Sequence, residues 1–195
     1  MEMTIDKQDK PQLSKQAQRW LVKLGKQWLA ESQHPELALL RARETYEQRG
    51  YSRQWIDHRL RGLSARQELT AAWNRLGAAG EDYRNLTNEL FKSAFGMDVE
   101  SYRRYKGLTD DHDHLRDFMT DLELSLVSLA ETTAAVFHRD RPGEGIDKLL
   151  ADVKDAGAVV AGTIREIEAR SGRPVRAGKP LGQPAQAPVV PVKAA

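Results

Sequence analysis

Arg49, Arg53, Arg59, Arg61 and Arg66 stand close together against a single acid, Asp57, with Tyr51, Trp55 and His58 interleaved. Guanidiniums beside aromatic rings suit two kinds of contact: charge-assisted hydrogen bonds to phosphate and stacking on bases. The stretch around Gly50 also has the helix, turn, helix outline of a DNA-binding motif, although Tyr46 occupies a place where a small residue is usual. A second basic run, Tyr102-Arg103-Arg104-Tyr105-Lys106, extends the same chemistry. The expected nucleic-acid or partner-binding residues are therefore Arg49, Arg53, Trp55, Arg59, Arg61, Arg66, Arg103, Arg104 and Lys106. The competing account is a solvated Arg face above a core of Trp55 and Ile56.

Two acidic groups could do other chemistry. Asp110 to His114 reads DDHDH, with carboxylates and imidazoles of the types that ligate divalent ions. Adjacent ligands in an irregular stretch rarely converge on one ion, and acids ahead of a long helix already favour its positive N-terminal end. Farther on, Asp117, Asp121 and Glu123 could do acid–base work if a pocket shifted their pKa values. No phosphate loop, nucleophile elbow or HExxH accompanies them. A salt-bridge network in which Arg116 joins helices is the simpler expectation. The reading is a non-enzymatic protein with no cofactor and no metal.

Composition narrows the class. The chain has 195 residues, 30% charged and 40% hydrophobic, and no cysteine, which excludes thiolate metal sites and disulfide frameworks and suits a reducing compartment. No apolar run approaches the roughly 20 residues of a spanning helix, and the opening MEMTIDKQDK has no apolar stretch behind its charges. No membrane partner and a cytoplasmic location are expected. The net charge of +2 is uneven: from Arg173 onward there are four basic side chains and no acid, leaving 26 basic and 28 acidic ones before it. A strongly basic body is not implied.

The elements that must position these residues read as helices throughout. Leu13, Ala17, Trp20, Leu21, Leu24, Trp28 and Leu29 form one stripe up to Ser32. A helix from Pro35 to Arg49 ends at Gly50, a short one follows Ser52, and Ser64 with Gln67 reads as a capping box starting another. Tyr83, Leu86, Leu90 and Phe91 make a helix stopped near Gly96, and Asp98 caps a short one closed by Gly107. Two series alternating by three and four residues, Leu115 to Val136 and Ile146 to Ile167, predict an antiparallel hairpin about Arg141-Pro142-Gly143. In that hairpin Leu126 is expected to face Gly157, Leu122 to face Val160, and Thr133 to face Leu150. Past Gly172 the chain is rich in Pro and Ala, with no means of building a core. The expectation is an all-α multi-helix bundle in three parts: a leader at 1–34, a helical domain at 35–172, and a disordered basic tail at 173–195. Trp20 and Trp28, two helical turns apart on the leader, read first as a core pair; the alternative is a docking or dimerisation face, so a homodimer is among the expected assemblies.

Four blocks carry a resemblance. They are RGYSRQWIDHRLRGLSARQELTAAW from Arg49, YRNLTNEL from Tyr83, FGMDVESYRRYKGL from Phe95 and LRDFMTDLEL from Leu115. In order and spacing they are similar to the C-terminal region of the DNA-damage-inducible protein D family of bacteria and mobile elements. Two features depart from it. Residues 1–33 are too few for the family's BRO-type N-terminal domain, and Phe118 stands where the family has a His. The resemblance implies a regulator of the bacterial DNA-damage response that binds a recombinase filament or another nucleoprotein. The alternative is a DNA-binding, antirepressor-like factor of a phage or mobile element that contacts DNA directly.

Overall fold

The computed structural model describes residues 14–110 and 112–176. It is all-α: among the described residues there are seven α-helices, one 3-10 turn and no strand. The helices are α1 (Lys15–Gln33), α2 (Glu36–Gln48), α3 (Arg53–Arg75), α4 (Asp82–Phe95), α5 (Val99–Tyr105), α6 (Asp121–Asp140) and α7 (Ile146–Ser171). None is long and apolar enough to cross a membrane. The chain divides into two compact units, Met1–Glu44 and Thr45–Ala195.

In the first unit, Ser14 caps α1 by accepting the Ala17 N–H, and His34-Pro35 separates α1 from α2. No residue of α1 is buried, and Trp20 and Trp28, at 61% and 70% exposure, are not the core pair that their spacing suggests. Leu13, placed at the head of this stripe by its spacing, lies outside the described residues.

In the second unit α3 packs on α6, α6 on α7, and α7 on α4, while α5 leans on α4 and on the 3-10 turn Leu115–Phe118. Ile56, Leu69, Trp73, Leu86, Tyr102, Leu149, Val153 and Val160 are sealed in the shared core. Local signals account for many helix ends. Ser52 and Asp98 accept the N–H groups of Trp55 and Ser101, and Gly96 and Gly172 close α4 and α7 with φ of 74° and 66°.

Three expectations fail. The helix after Ser52 does not stop for a new start at Ser64: α3 runs unbroken through Gly62 to Arg75. Gly62 is buried where a Cβ would sit 3.1 Å from Ser128 Oγ, so the missing side chain lets α3 and α6 approach. Second, the seam from Leu115 is not one helix. Leu115 belongs to the 3-10 turn, and α6 begins only after Thr120, whose hydroxyl and the Glu123 carboxylate form a capping box. Leu122, expected to face Val160, and Leu129 point outward, at 40% and 42% exposure.

Third, α6 and α7 are neighbours, but Gly157 does not face Leu126. A Cβ at Gly157 would lie 2.5 Å from Ser93 Cβ and 2.9 Å from the Ala94 nitrogen, so its glycine serves the α7–α4 contact. The start of the expected tail is also part of the fold. Val175 is buried, its N–H meets Glu168, and Arg176 donates to the Phe95 carbonyl at 2.8 Å. The rest of that tail, 177–195, lies outside the described residues.

Candidate functional site

The residues singled out for phosphate and base contacts run from Arg49, just past α2, to Arg66 on α3 and recur on and beside α5, and the structure divides them. Arg53 is exposed along 89% of its side chain, with Glu47 at 3.9 Å. Arg49 is exposed beside the Tyr46 ring, and Arg61 is exposed with its Nε donating to the Asp57 carbonyl. On α5, Arg104 is exposed and bonds to Ser101 Oγ.

The others turn inward. Trp55 is only 6% exposed; it stacks on Tyr51 at 4.0 Å and donates its indole N–H to the Met119 carbonyl at 2.9 Å. Its faces and its one donor are spent inside the fold, so it is not a base-stacking platform. Arg59 has an 11% exposed side chain and gives Nε to Asp117 at 2.9 Å, and Tyr46 donates its hydroxyl to the same carboxylate. Burial and the Asp117 charge together raise the Tyr46 pKa. Asp117 is thus a structural anchor for α3, and Arg59 is paired rather than presented. Arg66 reaches Thr87 Oγ1 at 2.8 Å and lies 3.6 Å from Glu131. Arg103 donates to the carbonyls of Asp110 and Asp113.

Lys106 is fully buried, 2.7 Å from the equally buried Glu123. Tyr102 donates to the other Glu123 oxygen at 2.5 Å, and burial followed by the Glu123 charge pushes its phenol far up. Lys106 therefore belongs to the interior and is no part of an open surface.

Two further polar clusters, which the sequence pattern did not single out as sets, tie the helices together. Arg116 grips the buried Glu131 with both Nη atoms, one of them at 3.2 Å. This is the joining role expected for Arg116, although the residue comes from the 3-10 turn and not from α6. Trp73 donates to His138 Nε2, His138 Nδ1 meets Asp152, and Lys148 and Arg141 complete the set around that carboxylate. Burial raises the Asp152 pKa, but its bonds from Lys148 and His138 outweigh that and hold it below the usual carboxylate range. Lys148 and Asp152 are one helical turn apart, whereas the other pairs join positions 11 to 65 residues apart and had only their polar residue types to signal them.

Among the described residues no group of three or more His, Asp or Glu side chains is arranged to hold a metal. Asp111, inside DDHDH, lies outside them. No protein-family model matches the chain, and no curated protein matches it.

Proposed function

We propose that this chain is a non-enzymatic regulator in the bacterial DNA-damage response, working in the cytoplasm by binding a recombinase–DNA filament or another nucleoprotein. The family and its target come from the resemblance of the four blocks. The observation that supports a binding role is how those blocks are used. Their Trp55, Trp73, Tyr102, Lys106 and Glu123 interlock in one core, whereas Arg49, Arg53 and Arg61 stay exposed near the start of α3. A packed scaffold that presents guanidiniums to solvent suits a polyanionic partner, held chiefly through phosphate contacts.

A second reading, a DNA-binding antirepressor-like factor of a phage or mobile element, draws on the chain order around Gly50. There α2 ends at Gln48, Gly50 turns with φ 81°, and α3 starts at Arg53.

Fluorescence anisotropy on a labelled single strand, bare or coated with recombinase, separates the two. The first reading expects binding to the coated strand only. Combining Arg49→Ala, Arg53→Ala and Arg61→Ala should weaken that binding at least about tenfold and flatten its salt dependence. Equal binding to bare DNA favours the second reading, and no binding to either form overturns both.

A further inference from the structure

A cleft of about 320 Å³ opens between α3, α4, α5 and the segment leading into α6. Three guanidiniums line it, those of Arg59, Arg66 and Arg116, and Leu63, Phe91 and Leu115 form an apolar wall. The charges do not balance. Asp117 takes Arg59, and the single carboxylate of Glu131 is shared between Arg66 and Arg116. Three cations against two carboxylates leave one positive charge in surplus.

Donors are in surplus too. Arg66 Nη1 is buried with no hydrogen-bond acceptor. Arg59 uses Nε on Asp117, and among the described residues no acceptor bonds its two Nη groups. Arg66 is held in place by Thr87, whose hydroxyl accepts from Nη2 at 2.8 Å while donating to the Tyr83 carbonyl at 2.6 Å. Loss of water, partly opposed by Glu131 and reinforced by Arg116, lowers the Arg66 pKa, and the guanidinium also lies over the Trp73 ring, 4.9 Å from its centroid. The three side chains still keep 11%, 27% and 17% of their surface open, in the order of their numbers.

We propose that this cleft binds a small organic anion, with a phosphate or carboxylate head at the three arginines and an apolar body against Leu63, Phe91 and Leu115. A concave site lined by one sign of charge concentrates counter-ions, and low-dielectric walls strengthen each contact. The volume lies at the small end of ligand pockets, which combine apolar walls with a few convergent polar groups. This site is separate from the exposed Arg49, Arg53 and Arg61 and does not rest on the function proposed above.

Titration of the whole chain with phenyl phosphate, benzoate and inorganic phosphate, followed by amide NMR and calorimetry, tests this. Saturable shifts at Leu63, Thr87 and Phe91 with an organic anion are expected, and whichever head binds more tightly identifies the ligand type. Arg66→Gln should weaken binding about tenfold or more, the loss of a charge-assisted contact. Should that variant unfold, Leu63→Trp carries the test, because Leu63 is only partly buried and a larger ring there fills the cleft without removing charge. The Trp variant should melt like the parent and bind nothing. The proposal is overturned by any of three results: no saturable binding up to about 10 mM, inorganic phosphate binding as tightly as the organic anions, or binding that survives Leu63→Trp.

Discussion

Trp73 donates its indole N–H to His138 Nε2 at 2.9 Å, deep between α3 and α6. That bond makes Nε2 an acceptor, so the ring carries its proton on Nδ1 and presents it to Asp152, also at 2.9 Å. Burial holds His138 below its ordinary value of 6.5 against the opposing pull of Asp152, and the imidazole is neutral in the fold.

The sign of the pH dependence follows. Below 6.5 the unfolded chain takes up a proton that the native His138 refuses, so stability present above that value is lost as pH falls toward the lower native pKa. Asp152, also lowered, pushes in the same direction at more acid pH. Urea midpoints should decline from about pH 7.5 to about pH 5.5, with a slope of at most about 1.4 kcal/mol per pH unit from this group. His138→Gln keeps an acceptor for Trp73 and a donor for Asp152 but cannot titrate, so its profile should be flatter. An unaltered slope in that variant would place the acid sensitivity elsewhere.

Gly157 sets the spacing of α7 and α4. The contacts a Cβ would meet include the Ala94 nitrogen at 2.9 Å and the Leu90 carbonyl oxygen at 3.0 Å, and backbone cannot step aside as a side chain tip can. Gly157→Ala should cost about 1–3 kcal/mol despite its better helix propensity. Adding Ser93→Gly should recover part of the loss. Thermal melts check both, and an unshifted Gly157→Ala midpoint contradicts the close approach.

Lys106 and Glu123 form an ion pair with both side chains sealed from water. Removing one partner leaves the other charged and buried, so Lys106→Met should cost about 3–5 kcal/mol. The double variant with Glu123→Gln removes the orphaned charge and still offers an acceptor to the Thr120 N–H, which Glu123 receives at 2.7 Å. It should be more stable than the single variant. The coupling is read from a double-mutant cycle in denaturant, and additive losses would show that the pair is not coupled.

Arg59 and Arg53 share a helix but not a role. Arg59→Ala strips a charge-assisted bond from Asp117, at an expected cost of about 1.5–3 kcal/mol. Arg53→Ala removes an exposed side chain with only a distant carboxylate, and should fall within about 0.5 kcal/mol of the parent. Equal effects in chemical denaturation would mean that Arg59 is not anchored.

The sequence by itself determined the class of fold and much of its local punctuation. Helical spacing gave α7 its inward face, and Val153, Gly157, Val160 and Ile164 are all buried. Ser52, Asp98, Gly96 and Gly172 act at the ends where their residue types place them, because caps are satisfied within a few residues of chain. The capping box at Thr120 and Glu123 was legible by the same rule, but the heptad spacing that continues across it concealed the break. What only the tertiary structure decided is which face meets which partner. Periodicity says that Gly157 points inward, and packing sets it against α4 rather than α6. Likewise, an arginine's charge is plain from its name, but its accessibility is not. Arg59 is held through Nε by a carboxylate 58 residues away, and Lys106 is spent on one 17 residues away, while Arg53 stays in solvent. Spacing along one helix cannot reveal such pairs, because they form only when distant segments fold together and exclude the water between them.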